Sequence, residues 1–220
     1  MVTEILLTLV SLVLGAVITI YVSLPRVSVA IEPPFTVIHS LRGEFVALRV
    51  LVSNKARWWT LRSPAIRCRG TITVYNKDGH NFFGRVLIGR WANTPQPEPD
   101  RILMPDGTEL HKLDIAWYNR EARRDIYPGE GENEPFDIAA RFGDDCYIWN
   151  NEAYIEGNNP LQLKAEVYFV KVIINVSGRD FPFFFRLHND GQLDSFRLED
   201  ASKKEKKLML STANAGRWKT

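Results

Sequence analysis

Cysteine, histidine and methionine are scarce in this chain of 220 residues, which contains 2 Cys, 4 His and 3 Met. Neither Cys68 nor Cys146 belongs to a C-x-x-C pair, which argues against a zinc site built on thiolates. In a cytoplasmic domain both thiols should be reduced, whereas in an external domain they can form one disulfide. The histidines show no H-x-x-x-H or H-E-x-x-H spacing, so we interpret them as ordinary polar residues: His39, His80, His111 and His188.

The chain also lacks a strong net charge, since its formal charge at pH 7 is only +2. It therefore carries no overall field of the kind that draws a protein to nucleic acid, and we expect no nucleic-acid partner. No catalytic motif and no cofactor-binding motif stands out. We predict that the protein is not an enzyme, that it binds no cofactor or metal, and that it acts by binding.

Charged residues are absent from one long stretch near the beginning, residues 5–24, which reads ILLTLVSLVLGAVITIYVSL. At about 1.5 Å of rise per residue, a helix of this length matches a hydrocarbon core of about 30 Å. Its threonine and serine hydroxyls can bond to the carbonyls of the helix itself. Glu4 closes the segment on one side and Pro25 on the other. We predict a single membrane-spanning helix within residues 1–25 that anchors the rest of the chain.

Two other interpretations of this stretch remain open. A cleaved secretory or pilin-type leader would carry basic residues before its apolar part, and residues 1–4 contain none. A buried helix of a globular domain is seldom apolar over so many consecutive residues. The excess of Lys and Arg after the helix, beginning with Arg26, predicts an N-terminus outside the cell and a cytoplasmic β-domain. The alternative is an extracytoplasmic β-domain.

The residues after the anchor alternate between apolar and polar in short runs separated by turn signals. Such runs occur at 27–32, 44–53, 68–76, 82–91, 113–118, 136–142, 146–154, 161–176, 183–187 and 195–198. Strands of this length and spacing predict an all-β fold, an antiparallel immunoglobulin-like β-sandwich, over residues 26–200. Between residues 92 and 135 the pattern changes, because six of the 12 prolines fall there, and we predict a long Pro-rich excursion from the sandwich. Residues 201–220 read as a basic, flexible tail.

Two basic segments are candidates for contact with a membrane surface or a partner. In the first, cations alternate with indole rings that favour headgroup depth or single-stranded nucleic acid, although they can equally cap the core: Arg57, Trp58, Trp59 and Arg62. The second is a lysine cluster that either faces an anionic leaflet or is solvated: Lys203, Lys204, Lys206 and Lys207. On the anchor, Ser11 and Gly15 share a face at i and i+4 and are candidates for close packing against another helix.

Two further groups of residues were weighed as chemical sites. The acidic turn Asp144–Asp145 and the nearby Asn150, Asn151 and Glu152 offer oxygen ligands, but without EF-hand spacing. Cys68 stands between two arginines, as an activated thiolate would, yet no protease or hydrolase signature accompanies it. We interpret the acidic residues as a turn and the cysteines as small residues within strands.

Several segments resemble a group of uncharacterised prokaryotic proteins that pair one N-terminal transmembrane helix with an immunoglobulin-like sandwich. They are LRVLVSNKARWWTLRSPAIRCRGTITV, GRW at 89–91, DIYPGE at 125–130, FDIAARF at 136–142 and YIWNNEAY at 147–154. The resemblance implies the fold and the anchor and brings no catalytic residues. The chain departs from true immunoglobulin domains because Tyr147 follows Cys146, whereas the tyrosine corner places Tyr two residues before the cysteine.

Together these patterns predict a single-pass cell-membrane protein whose β-sandwich recruits or contacts another protein at the membrane. The excursion is the expected recognition element, since long loops on a rigid scaffold commonly carry binding. The alternative is an accessory or assembly subunit of a larger membrane complex or surface filament, held by helix packing. A homo-oligomer is compatible with either function.

Overall fold

The computed structural model describes residues 2–39, 43–55, 63–94, 100–112, 122–129, 133–150, 161–191 and 193–215. Within these ranges, one α-helix precedes a body of β-strands and a second α-helix follows it. The helices are α1 (Val2–Ser23) and α2 (Lys203–Ala215). The first eight strands are β1 (Val27–Ile31), β2 (Phe35–His39), β3 (Gly43–Asn54), β4 (Ala65–Tyr75), β5 (Leu87–Ile88), β6 (Arg90–Trp91), β7 (Asp100–Leu103) and β8 (Glu109–Lys112). The others are β9 (Arg123–Ile126), β10 (Asn133–Phe142), β11 (Asp145–Ile148), β12 (Gln162–Leu163), β13 (Glu166–Val176), β14 (Arg179–Asn189) and β15 (Arg197–Asp200).

Helix α1 occupies the apolar stretch where the sequence predicts a helix. Its polar side chains are accommodated as expected, because the hydroxyl of Thr19 donates to the carbonyl of Gly15 at 2.8 Å. Over the part of the chain that the structure describes, no helix combines the length and the apolar character needed to cross a membrane. The structure therefore supports a helix at this place and does not support the membrane span predicted from the sequence.

Of the 15 described strands, 13 form two large antiparallel sheets. Sheet I has seven strands, in the order β1-β3-β10-β11-β12, with β2 also paired to β3 and β6 to β10. Sheet II has six strands, in the order β15-β14-β13-β4-β5, with β9 also paired to β4. The prediction of an antiparallel β-body is confirmed at the level of a mostly β fold with two large sheets. The long alternating runs at 44–53 and 68–76 overlap β3 and β4, and the run at 161–176 contains β12 and β13.

Both sheets contribute to one apolar core. Phe136 of β10 in sheet I is fully buried, and its ring lies over Gly70 of β4 and Gly89. Trp91 contacts Phe136 edge to face, with the ring centroids 5.0 Å apart, and its indole N–H donates to the carbonyl of Ala122. A side chain larger than hydrogen at either glycine would occupy the space of the ring. Glycine at these two positions is therefore what lets an aromatic side chain fill the space between the layers.

The Pro-rich excursion contains its own secondary structure. Strands β7 and β8 pair only with each other among the described residues and form a separate two-stranded sheet. Asp106 and Gly107 form the turn between them, where Gly107 adopts a φ of 81°. Strand β9 returns the chain to sheet II. The predicted strand at 113–118 lies outside the described residues.

Residues 203–215 form helix α2 rather than the flexible tail predicted from the sequence. The N-terminus of α2 is a capping box, because the Ser202 hydroxyl accepts from the Glu205 amide while the Glu205 carboxylate accepts from the Ser202 amide. Met209 is fully buried and packs with residues of sheet II and the chain leading into α2: Tyr75, Phe169, Phe184 and Ala201. These two features overcome the repulsion among the four lysines of the helix.

Candidate functional site

Apolar side chains cover most of the surface of helix α1 and are exposed. Every side chain that the structure describes between residues 5 and 19 is exposed. The large ones have exposed fractions between 53% for Ile18 and 67% for Leu7. An interfacial helix would show one strongly polar or charged face, whereas the one weakly polar side of α1 carries only small, uncharged residues: Thr8, Ser11, Gly15 and Thr19. The helix thus offers an uncovered apolar surface that water alone does not favour.

The small residues Ser11 and Gly15 lie on this exposed surface. A Cβ added at Gly15 would meet no other atom within 4 Å, so nothing in the described part of the chain covers this side of α1. Another helix could approach the backbone closely there, as the sequence predicts.

A short, firmly held connection joins α1 to the body. Only residues 24–26 separate the end of α1 from the start of β1. The backbone N–H of Arg26 donates to the side chain of Asn54 at 3.0 Å, and the N–H of Lys55 donates to the carbonyl of Arg26 at 3.0 Å. Asn54 is fully buried and also donates to the carbonyls of Ser63 and Ile126. The entry of the chain into the body is therefore fixed by a buried amide.

A buried cluster of charges lies in sheet I, and sequence analysis did not identify it. Asp137 is 3% exposed, and its carboxylate lies 3.2 Å from a guanidinium nitrogen of Arg49 and 3.8 Å from one of Arg90. Arg49 also lies 3.8 Å from Glu32 and stacks over the ring of Phe35. The pairing of β10 with β3 shifts register between Asp137 and Ala139, which marks a β-bulge at the cluster.

Desolvation dominates the electrostatics of this cluster. Burial raises the pKa of Asp137 to about 6, even though the positive charges of Arg49 and Arg90 pull it down. Arg90 is itself buried and also donates to the carbonyl of Thr94 at 2.8 Å. The two guanidinium groups balance the two carboxylates, which favours a structural role for the cluster. The signal in the sequence was a charged residue within each of three apolar strands.

Of the two basic segments predicted to contact a membrane surface or a partner, the structure describes only the second. Residues 57–62, with Arg57, Trp58, Trp59 and Arg62, lie outside the described residues, although the flanking Lys55 and Ser63 are described. The four lysines of the second segment lie on α2. Lys203, Lys204 and Lys207 are exposed and Lys206 is half-buried. Their solvation agrees with either role that the sequence left open.

Both cysteines are unsuited to nucleophilic chemistry. Cys68 and Cys146 are free thiols and fully buried, one in each sheet. Burial raises the pKa of each to about 12, and the carboxylate of Asp125 adds to the effect at Cys68. The flanking arginines do not activate Cys68, because the thiol faces the core and donates to the carbonyl of Ala65. The interpretation as small residues within strands is the one that this geometry favours.

The other polar candidates are dispersed. Asp144 lies in a turn and Asp145 begins β11, and both are exposed, whereas Asn150 is buried and residues 151–152 lie outside the described residues. His188 lies 3.1 Å from Glu199, whose pKa is lowered by a hydrogen bond from Arg197 and by His188. His80 is exposed, and the side chains of His39 and His111 are not described. Within the described ranges, no three His, Cys, Asp or Glu side chains converge as ligands of a metal ion would.

Comparison of the chain with family models, with curated proteins and with solved structures finds no match.

Proposed function

We propose that this chain is a membrane-attached β-domain that binds another protein at the membrane and catalyses no reaction. The observation that carries the proposal is the uncovered apolar surface of α1. Ten large apolar side chains between Ile5 and Ile18 are more than half exposed, with exposed fractions from 53% to 67%. Burying one such side chain in lipid rather than water is favourable by about 1.5–3 kcal/mol. The ten side chains together would therefore hold the chain firmly at a membrane.

The β-body supports a binding role more than a catalytic one. The thiols are buried, and the acidic turn and the histidines do not converge in the part of the chain that the structure describes. We propose that the body is an immunoglobulin-like sandwich, which the two antiparallel sheets and the buried Trp91 support. It would differ from an antibody domain in having no inter-sheet disulfide, since both cysteines are free.

The hairpin of β7 and β8 is the proposed recognition element. Among the described residues it pairs with neither of the two large sheets, and its tip presents Leu103, which is 72% exposed, and Met104, which is 38% exposed. Methionine and leucine at the tip of a hairpin provide an apolar contact that a protein partner can cover. We further propose that the body faces the cytoplasm, supported by the excess of cations after α1, with the opposite side as the alternative.

Attachment is tested by washing membranes that contain the full chain with alkaline carbonate. We expect the wild type to stay in the membrane and Val10→Lys/Leu14→Lys to be released, because each lysine near the centre of a buried helix costs about 3 kcal/mol. The matched control is Ile38→Lys/Val86→Lys, which changes two exposed apolar residues of the body, 85% and 59% exposed. Release of the wild type would overturn the proposal.

Partner binding is tested by co-purification in mild detergent. We expect Leu103→Asp/Met104→Asp to lose a protein that the wild type retains, while remaining in the membrane fraction. The control is Leu210→Asp, which adds a negative charge at an exposed apolar residue of α2 that is 46% exposed. This variant should retain the partner. Retention of the partner by the hairpin variant would contradict recognition by β7 and β8.

A second candidate function is favoured by the open side of α1 at Gly15. As an accessory or assembly subunit, the chain would hold its partner through α1 and not through the hairpin. Gly15→Leu would then abolish stoichiometric co-purification, whereas Leu103→Asp/Met104→Asp would preserve it. The two variants thus separate the two functions.

The side of the membrane is tested by labelling intact cells with a membrane-impermeant thiol reagent. Asp144→Cys is a suitable site, because the Asp144 side chain is fully exposed and the native thiols are buried. Protection of this cysteine until the cells are permeabilised is expected for a cytoplasmic body.

A further inference from the structure

The pairing of the strands brings several distant parts of the chain to the end of the body where α1 enters. We call this the entry end. The start of β1 pairs with the end of β3, at Val27 and Asn54, and the start of β10 lies beside them. Asn54 also reaches the carbonyls of Ser63 and Ile126, next to the start of β4. Asn175 of β13 pairs with Arg69 of β4, so the turn between β13 and β14 lies at the same end.

Four exposed cations lie at the entry end. They come from the connection to α1, the end of β3, the start of β4 and the start of β14: Arg26, Lys55, Arg67 and Arg179. No carboxylate pairs with any of these four side chains among the residues described. The described carboxylates at this end keep their charge, because each accepts from an uncharged group: Asp125 from the Arg67 amide at 2.6 Å, Asp180 from Asn175 at 2.7 Å and Glu134 from Asn93 at 3.3 Å. The four cations outnumber these three carboxylates. The entry end is therefore positively charged, although the whole chain is nearly neutral.

The position of Arg67 is enforced by the local backbone. Its φ is 56°, a left-handed conformation that is uncommon for a residue other than glycine. The pairing of β4 with β9 shifts register between Ala65 and Cys68, so a bulge turns the two intervening residues away from the ladder. The hydrogen bond from the Arg67 amide to Asp125 holds this bulge. The bulge exposes Arg67 and also Ile66, which is 45% exposed.

Apolar and aromatic groups accompany the cations. Tyr127 directly follows β9 and is 54% exposed, beside the bridge between Pro128 and Asn54. Tyrosine favours the depth of lipid headgroups, where its ring is apolar and its hydroxyl is wet. A surface that combines Arg, Lys, Tyr and Ile is typical of contact with a lipid interface rather than with water alone.

The connection to α1 keeps this surface close to whatever holds the helix. Three connecting residues span at most about 10 Å, which is about one Debye length at physiological ionic strength. In contrast, α2 packs on Tyr75, at the far end of β4, and its Leu208 lies over Gly79 beyond that strand. The lysines of α2 are thus less well placed than the entry end.

We propose that the entry end binds the anionic headgroups of the membrane that holds α1. This inference rests on the proposed membrane attachment. The partner that fits is a lipid phosphate surface, because the charges are spread over four separate chain segments rather than lining a pocket. Each cation close to such a surface contributes about 1 kcal/mol, or about fivefold in affinity. The contact would orient the body and so fix where the β7–β8 hairpin faces.

The test uses the full chain inserted into vesicles, with a fluorescent dye on Asn133→Cys, an exposed position at the start of β10. The vesicles contain phosphatidylcholine alone or with added phosphatidylglycerol, together with a small constant amount of a headgroup-labelled quencher lipid. We expect several-fold stronger quenching with phosphatidylglycerol, and we expect molar salt to abolish the difference. Equal quenching in the two vesicles would overturn the inference, and so would a difference that persists in molar salt.

Charge variants make the test specific. Arg26→Gln/Lys55→Gln/Arg67→Asn/Arg179→Gln should lose the dependence on phosphatidylglycerol, and asparagine is chosen because it tolerates the conformation of Arg67. The control is Lys77→Gln/Lys164→Gln/Lys203→Gln/Lys204→Gln, which removes the same number of charges elsewhere. This variant should keep the dependence of quenching on phosphatidylglycerol. If both variants behave alike, the entry end is not the lipid contact.

Flotation of the same vesicles separates failure of this inference from failure of the proposed attachment. A wild type that does not float with phosphatidylcholine alone would contradict the attachment itself. A wild type that floats with both vesicles but is quenched equally would contradict only the headgroup contact. An acidic protein surface would then be the remaining partner of the entry end.

Discussion

Arg90 and Asp137 are ionised groups placed where most strands carry apolar side chains. Arg90 is 4% exposed and Asp137 is 3% exposed, and they occupy paired positions on β6 and β10. Removing two charges from water costs several kcal/mol, which their attraction offsets only when the geometry is good. The second arginine, Arg49, supplies the additional partner. The stability of sheet I therefore depends on residues that alternation alone would have left in solvent.

The raised pKa of Asp137 gives the cluster a pH dependence with a definite sign. Burial, opposed by Arg49 and Arg90, raises the pKa from 3.8 in the unfolded reference to about 6. Between these values the folded state binds more protons than the unfolded state. The contribution of this group to the free energy of unfolding therefore rises as the pH falls from about 6 to about 4.

Arg90→Met is expected to destabilise the protein by about 3 kcal/mol near neutral pH, because it leaves the Asp137 carboxylate with one cation. The loss should shrink at about pH 5, where Asp137 can take up a proton. Denaturant unfolding at the two pH values measures this. Arg197→Met, at a side chain 43% exposed and 2.8 Å from Glu199, is the control and should cost less than about 1 kcal/mol. An equal loss at both pH values would contradict the role assigned to Asp137.

At the scale of elements, α2 shows how a charged segment becomes ordered. Its first turn is capped by Ser202 and Glu205, and Glu205 also pairs with Arg186 of β14. Burial opposes ionisation of Glu205, but the hydrogen bonds from Arg186 and Ser202 lower its pKa overall. Met209 then anchors the helix on sheet II. The spacing Ser-Lys-Lys-Glu is a readable capping signal, and the lysine run concealed it during sequence analysis.

Ser202→Ala is expected to destabilise α2 by about 1 kcal/mol, because it removes the side-chain acceptor at the N-cap. Amide hydrogen exchange in the described helix should accelerate about fivefold, which is the measurement. Ser211→Ala serves as the control, since the Ser211 hydroxyl bonds only the carbonyl of Leu208 within the helix and alanine is the better helix former. If exchange in α2 is unchanged by Ser202→Ala, the capping box does not hold the helix.

Strands differ in how well the sequence reveals them. The long strands β3, β4 and β13 have one face on the core, so apolar residues recur at every second position and the pattern is clear. The run at 82–91 becomes only the short β5 and β6, because Gly84 adopts a φ of 67° and breaks the ladder. The hairpin β7–β8 was hidden by the prolines around it. Short strands are set by their partners, which the local sequence does not contain.

The whole molecule is held together where the two sheets meet at Phe136. The ring lies against Gly70 of sheet II and Gly89, so a methyl group at either position would overlap it. We expect Gly70→Ala to destabilise the protein by about 3 kcal/mol through overpacking. Thermal unfolding measures the loss.

Controls for Gly70→Ala come from the chain itself. Gly129→Ala should be nearly neutral, since a Cβ at Gly129 would meet nothing within 4 Å. Adding Phe136→Leu to Gly70→Ala should recover part of the loss, because the smaller side chain makes room for the methyl group. A Gly70→Ala protein as stable as the wild type would show that the sheets do not meet as described.

The proposed activity also belongs to the whole molecule, because it combines parts that are distant in the sequence. In this proposal, α1 would provide attachment, the entry end would provide the charge that faces the lipid, and the β7–β8 hairpin would provide the apolar tip. The position of the body relative to α1 depends on the buried side-chain amide of Asn54, which fixes the chain where it enters the body. A protein that acts by position needs such a rigid junction more than it needs reactive groups.

The sequence by itself determined the N-terminal helix, the antiparallel β-body and the place of its longest strands, because periodicity and unbroken apolar runs are local properties. Only the tertiary structure decided the rest. It showed that Asp137 sits between two arginines, that Phe136 requires two glycines, and that four cations from separate segments share one end. Each of these depends on strand pairing between residues far apart in the chain. Pairing is selected by the packing of the whole body, and no short stretch of sequence contains that information.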